Sequence, residues 1–169
     1  HQIGPLRLDV VDPVTAYAAL MESLFDFDAM RAWFARGHRM RFDAMHAITG
    51  PYAVEILERR LGALSGTVIN RVPLPDFGGG HPDPNLVYAK HLLDLSNTAA
   101  SPELLAASDG DGDRNMILGR GFFVTPSDSL AILTANAKLA PGYKAGLAGV
   151  ARSMPTSAAA DRVAKELGI

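Results

Sequence analysis

The feature that most constrains the fold is a rhythm. Short apolar runs (RMRFD, TVIN, LLAAS, MILG, FFVT and LAGVAR) are interspersed with segments whose apolar residues recur at helical spacing. Runs of four to six residues bounded by turn formers read as strands, and longer periodic segments read as helices. The helical segments are VDPVTAYAALMESLF, DFDAMRAWFARG, TGPYAVEILERRLG, NLVYAKHLLDLS, SDSLAILTANAKLA and SAAADRVAKELG. Asp12 is the expected N-cap of the first, with Pro13 at its first helical position. Ser127 or Asp128 caps the fifth. RVPLPDFGGGHPDPN is dense in proline and glycine and reads as a loop. Strand and helix in alternation predict an α/β, layered helix-sheet-helix domain with a mixed, mostly parallel sheet. MILG and FFVT, joined by Arg120-Gly121, add an antiparallel hairpin. In such sheets sites lie beyond the carboxyl ends of strands, where Asp43, the segment after LLAAS and Arg152 are expected.

Composition excludes several classes of function. The 169 residues include no cysteine, which rules out disulfides, zinc-thiolate sites and cysteine catalysis. A formal net charge of -2, with Lys and Arg at 36, 39 and 41 scattered among apolar residues, provides no patch for nucleic acid or an anionic membrane. No apolar run approaches the roughly 20 residues of a membrane span. The opening HQIGPLRLDV lacks the apolar stretch of an export signal, so the expected location is cytoplasmic.

The segment SDGDGDRNMILG carries the chemistry. Asp109, Asp111 and Asp113 occupy every second position and are separated only by glycine. In extended backbone such residues point to one side, and glycine permits the tight turns that would bring three carboxylates around one point. Their oxygens suit hard cations such as Mg²⁺, Mn²⁺ or Ca²⁺; a solvated acidic turn is the alternative. A calcium EF-hand is excluded, because its sixth and twelfth loop positions hold Arg114 and Arg120 instead of Gly and Glu. The phosphatase pattern D-x-D-x-T/V fails at Asp113. Arg114 offers a guanidinium that can grip a phosphate in bidentate fashion, or it only balances local charge.

DGDGDRNMILG resembles the metal-binding loop of the phosphoglucomutase branch of the α-D-phosphohexomutase superfamily. RFDAMHAITGPY, VPLPDFGGGHPDPNLVYA, GFFVTPSDSLAILTAN and GVARSMPTSAAADRVA resemble the same family in the same order, and DPVTAYAALMESLFDFDAM resembles the helical lead-in to its second domain. Together they cover nearly the whole chain. Ala47 and Ala158 stand where relatives commonly have glycine.

The resemblance implies an enzyme that interconverts glucose 1-phosphate and glucose 6-phosphate through a phosphoserine and a glucose 1,6-bisphosphate intermediate. It implies Mg²⁺ as cofactor, Asp109, Asp111 and Asp113 as its ligands, and Arg114 as a catalytic residue beside the phosphate. It also implies that residues 1–145 correspond to the second domain and residues 146–169 to the first strand and helix of the third. The family's serine motif, TASHNP-like, does not occur in the chain; NTAASP lacks its His-Asn. Neither do the sugar loop, GEESFG-like, or the phosphate loop, SGTGS-like. The expectation is therefore an excised piece, inactive alone, whose phosphosugar substrate is bound with the remaining domains, and which is prone to dimerise through exposed edges. The alternative is a noncatalytic metal-binding or interaction module.

Other polar residues are weighed individually. His81, Arg152 and Ser153 are candidate substrate-binding residues, each set against a structural turn. His46 either positions a phosphate or the aspartate loop, or is a packed loop histidine. His38 and His91 are expected on helices at or near the surface. Trp33 and Phe34 are expected to pack in the core, with an interface as the second option.

Overall fold

The computed structural model describes residues 1–169. A two-residue hairpin, β1 (Gln2–Ile3) and β2 (Leu6–Arg7), precedes the first helix. Helix α1 (Pro13–Leu24) starts as its sequence dictates: Asp12 Oδ1 accepts the Val14 N–H, and Pro13 sets the first helical φ. Helix α2 (Phe27–Ala35) is capped in the same way, by Asp26 accepting from the Ala29 N–H. Then follow β3 (Met40–Asp43), α3 (Thr49–Ala53) running on into a π-helical segment (Val54–Arg60), and β4 (Val68–Ile69).

The proline- and glycine-rich loop leads to α4 (Lys90–Ser96), β5 (Leu104–Ser108), β6 (Asn115–Gly119) and β7 (Phe122–Val124). Helices α5 (Ser129–Asn136) and α6 (Ala159–Leu167) pack against each other at the carboxyl end of the chain. Helix α4 begins five residues later than its apolar pattern suggests. Asn85 Oδ1 accepts from the N–H groups of Val87 and Tyr88, and this Asx turn takes over donors a helix would need. Asp128 precedes α5, but its carboxylate accepts the Thr125 hydroxyl instead of a helix N–H.

The five-stranded sheet has the order β4-β3-β5-β6-β7. Strand β3 pairs in parallel with both β4 and β5, whereas β5–β6 and β6–β7 are antiparallel. The sheet is mixed, as expected, but its parallel share is two pairings of four, because the β6–β7 hairpin turns the chain back twice.

Side-chain alternation assigns the two faces. Leu105, Ala107, Met116 and Leu118 lie under α4, packed against Leu92 and Ala89. Phe42 and Val68 face the other way, against Ala53, Val54 and Leu57. The helix-sheet-helix layering follows from this alternation. Asp43 lies across from Ala107 in register and faces α4, where its carboxylate accepts from His91 Nε2 at 2.8 Å.

One expected strand does not form. Leu147–Arg152 pairs with nothing, because no strand of this chain lies alongside it to complete a ladder. Trp33 and Phe34 are half-buried and do not join the core. Trp33 stacks on His38, which lies past the end of α2 instead of on a helix, and borders an apolar groove of about 870 Å³ between α2, α5 and the 139–151 segment.

Candidate metal centre and cleft

The aspartate loop is the connection between β5 and β6. The last ladder pair is Ser108 with Asn115, so residues 109–114 must reverse the chain. The Asp109 N–H donates to the Arg114 carbonyl at 3.2 Å and closes the reversal. The three carboxylates are gathered by bends at 110–113, not by the alternation of an extended strand. Gly112 makes the turn possible. Its φ is +84°, and a Cβ there would come within 2.7 Å of Thr49 Cγ2. Thr49 opens α3, and its hydroxyl bonds Ser108 at 2.6 Å, which ties the start of that helix to the base of the loop.

One oxygen from each of Asp109, Asp111 and Asp113 can be chosen so that all lie within 4.8 Å of one another. Oxygens on opposite sides of a bound Mg²⁺ are about 4 Å apart, and around Ca²⁺ about 5 Å. The donor set is hard, anionic and of the right span, so these residues fit a divalent cation. Asp111 and Asp113 are exposed, with Asp113 Oδ1 3.6 Å from Arg114 Nε, whereas Asp109 is buried.

Asp109 is also a structural residue. Its Oδ1 accepts from the N–H groups of Gly112 at 2.9 Å and Arg114 at 3.1 Å, and its Oδ2 accepts from Arg114 Nε at 2.8 Å. Burial opposes its charge, but these hydrogen bonds outweigh it and hold the carboxyl below the usual carboxylate range. Asp113 is pushed the other way, first by the neighbouring charge of Asp111 and next by Asp109. The loop thus contains the like-charge repulsion that a bound cation relieves.

Arg114 is held from two sides, by Asp109 and by Asp83, whose Oδ1 accepts from its Nη1 at 3.1 Å. Its pKa is raised, with Asp109 the largest cause. A cleft of about 670 Å³ opens beside it, lined by Phe77, His81, Asp83, Asp109, Asp111 and Arg114 among others. His81 reaches this cleft from the long loop, with its ring edge-on to Tyr88 at 4.2 Å. His46 acts as a loop brace. Met45 and His46 both take positive φ, His46 Nδ1 lies 3.0 Å from the Val72 carbonyl, and the His46 carbonyl accepts from the Leu74 N–H.

Arg152 and Ser153 are not brought to the cleft. Arg152 donates from Nε and Nη2 to both oxygens of Asp161 on α6, and Ser153 Oγ meets Thr156 Oγ1 at 3.0 Å. Sequence reasoning missed Asp83, although an aspartate locked between two prolines in HPDPN was a visible signal. It also placed His91 only as a surface or partly buried helix residue. Asp43, 1% exposed, accepts from the Met45 N–H, Asn70 Nδ2 and His91 together.

Comparison with known proteins places this arrangement. Residues 16–121 match the family described as "Phosphoglucomutase/phosphomannomutase, alpha/beta/alpha domain II". The chain is 66% identical over 168 residues to a phosphoglucomutase of Rhizobium radiobacter, covering 99% of the chain and 31% of that protein. It is 51% identical over 173 residues to the cytoplasmic phosphoglucomutase of Bromus inermis, covering 98% of the chain and 30% of that protein. Among solved structures, the exocytosis-sensitive phosphoprotein pp63/parafusin, a phosphoglucomutase from Paramecium, superimposes with a TM-score of 0.89 at 52% identity, over 95% of this chain and 29% of that one. The chain spans about a third of the length of the curated relatives it matches.

Proposed function

Because the chain belongs to the phosphoglucomutase/phosphomannomutase family, we propose that it is the metal-bearing part of a phosphoglucomutase that interconverts glucose 1-phosphate and glucose 6-phosphate. Residues 1–145 are the second domain in this reading, and residues 146–169 begin the third. The observation that carries it is the convergence of Asp109, Asp111 and Asp113 within 4.8 Å, beside an arginine at the mouth of a cleft.

The roles follow from the chemistry of the side chains. Asp109, Asp111 and Asp113 would hold Mg²⁺, which when bound would supply positive charge to neutralise phosphoryl oxygens. Arg114 uses two of its five N–H groups on Asp109 and Asp83, which leaves three donors to grip a phosphate. His81, at the rim, offers a ring nitrogen to a phosphosugar that the remaining domains help to enclose. Arg152 and Ser153 belong to the third-domain portion; a substrate role for them requires the Asp161 and Thr156 contacts to give way. A cytoplasmic location follows the compartment named for the Bromus relative, and cell fractionation checks it.

No step of phosphoryl transfer runs on this chain alone. A phosphoryl donor must be regenerated in each cycle, and the serine motif that supplies it in the family is not among these residues. The test has two arms. Isothermal titration of Mg²⁺ or Mn²⁺ into the chain should give binding heat that Asp111→Asn removes; identical heats overturn the metal assignment. The chain supplied with glucose 1-phosphate, a trace of glucose 1,6-bisphosphate and Mg²⁺ should form no glucose 6-phosphate in a dehydrogenase-coupled assay. Conversion above buffer means that a serine of this chain is the donor, and the division of labour proposed here fails.

A further inference from the structure

We propose that His91 is a positioning residue for the aspartate loop: through the buried Asp43 carboxylate it fixes the strained turn at residues 44–48, against which that loop rests. The proposal deepens the functional reading above and rests on it for the kinetic arm of its test.

Backbone geometry singles this turn out. Four residues other than glycine take positive φ, namely Met45 (+50°), His46 (+54°), Asn70 (+48°) and Phe77 (+53°). Such residues persist in that conformation only where the surroundings over-determine it. Hydrogen bonds join three of the four into one frame. The His46 N–H donates to the Asn70 carbonyl at 2.9 Å, and Asp43 Oδ1 accepts from the Met45 N–H at 2.8 Å and from Asn70 Nδ2 at 2.9 Å. The fourth is tied in through Leu74, whose N–H donates to the His46 carbonyl and whose carbonyl accepts the Phe77 N–H.

Asp43 is the node of the frame, and His91 decides how firmly its carboxylate is aimed. His91 Nε2 lies 2.8 Å from Asp43 Oδ2, and His91 is the one ionisable side chain within ion-pair distance of Asp43. Lys90, the next residue on α4, is taken by Asp94. A carboxylate bonded through both oxygens cannot rotate without breaking bonds on each side, whereas one bonded through Oδ1 alone can. Helix α4 also holds the turn through Met45, which is buried with Ala89 and Leu92, but an apolar contact does not orient Oδ1.

The turn meets both sides of the cleft. The Ile48 N–H donates to the Gly110 carbonyl, inside the aspartate loop, at 3.5 Å. The His46 ring lies where Gly78 has no side chain; a Cβ there would come within 2.9 Å of His46 Cδ2. Phe77, beside Gly78, lines the cleft. Freeing the Asp43 carboxylate therefore loosens the support of the three aspartates, and ligands that are less well held before a cation arrives bind it less tightly.

The test uses the full-length protein that contains this chain, in wild-type, His91→Leu and His91→Gln forms. Leucine keeps bulk at a half-exposed helix position and removes the donor, whereas glutamine retains an N–H donor. Hydrogen–deuterium exchange is read by peptide mass spectrometry without metal or substrate. In His91→Leu, peptides covering residues 44–49 and 70–79 should exchange about threefold faster or more, with α2 and α5 unchanged. His91→Gln should restore most of the protection. The Mg²⁺ half-saturation of mutase turnover should rise about threefold to tenfold in His91→Leu, at or below the effect of partners bonded directly to a metal ligand, and His91→Gln should stay within about twofold of wild type.

Unchanged exchange at residues 44–49 in His91→Leu overturns the proposal. So does equal acceleration in α2 and α5, which marks a general loss of stability, and so does a wild-type Mg²⁺ half-saturation in His91→Leu. A His91→Gln protein that behaves like His91→Leu overturns it as well. If the wild-type protein interconverts no sugar phosphate, the functional reading falls separately, and the exchange arm still decides the role of His91.

Discussion

Asp109 and Asp111 are two residues apart in one acidic loop, yet their substitution should differ sharply in its effect on stability. Asp109 is buried and accepts three hydrogen bonds, two from backbone N–H groups and one from Arg114 Nε. Asp109→Ala leaves those donors without their acceptor. An unsatisfied buried donor costs about 1–3 kcal/mol, and here each lies toward the low end, because Gly112 and Arg114 are exposed and can turn to water. The sum is about 2–4 kcal/mol, which for a chain of this size lowers the melting temperature by about 5–15 °C.

Asp111 is exposed and its side chain makes no hydrogen bond. Asp111→Asn should therefore change stability by no more than about 0.5 kcal/mol. Thermal melts by circular dichroism in EDTA separate the two. Added Mg²⁺ then reads the metal. With a dissociation constant of about 1 mM, 10 mM ion stabilises the wild type by about 1.4 kcal/mol, or roughly 3–6 °C, and Asp111→Asn should lose most of that shift. The reasoning is refuted if Asp109→Ala melts within about 1 °C of wild type in EDTA, if Asp111→Asn melts as early as Asp109→Ala, or if Mg²⁺ raises wild type and Asp111→Asn equally.

Three further outcomes are expected. Gly50→Ala should prevent folding or lower the melting temperature by more than about 10 °C, since its Cβ would lie 2.0 Å from the Arg71 carbonyl oxygen and backbone cannot give way as a flexible side chain does; a melt near wild type would show that α3 is free to shift. Besides Asp109, six carboxylates are held below their usual range, Asp12 by Thr15, Glu22 by Arg31, Glu55 by Arg60, Glu103 by the Arg39 N–H, Asp128 by Thr125 and Asp161 by Arg152. Their contribution is complete above the usual carboxylate values near pH 4 and is lost as pH falls through the lower folded values, so urea midpoints should hold from pH 7 to about 5 and then drop; a decline already at pH 6 contradicts this. Finally, the isolated chain should self-associate at about 100 μM through the apolar groove where Leu133 is 67% and Leu139 73% exposed, and light scattering that reports only monomer argues against it.

Local chemistry made much of this chain legible from sequence. Asp12-Pro13 announces the start of α1 because cap and first-turn geometry depend on two neighbouring residues. The β6–β7 hairpin is visible because Arg120-Gly121 lies between two apolar runs. DGDGDR marks a candidate cation loop because glycine lets three closely spaced carboxylates turn toward one point. What sequence could not supply depends on partners distant along the chain. Leu147–Arg152 has the composition of a strand, but a strand exists only where another lies alongside it to accept its hydrogen bonds, and none does. Arg152 therefore turns to Asp161 instead of a cleft. Asp83 joins Arg114 across 31 positions, and His91 reaches Asp43 only because β3 lies beside β5 with its register placing Asp43 under α4. Caps, turns and ligand spacing are short-range and written in adjacent residues; the pairing of Arg114 with both Asp109 and Asp83 depends on how the long loop packs over the sheet edge, and only the tertiary structure decides that.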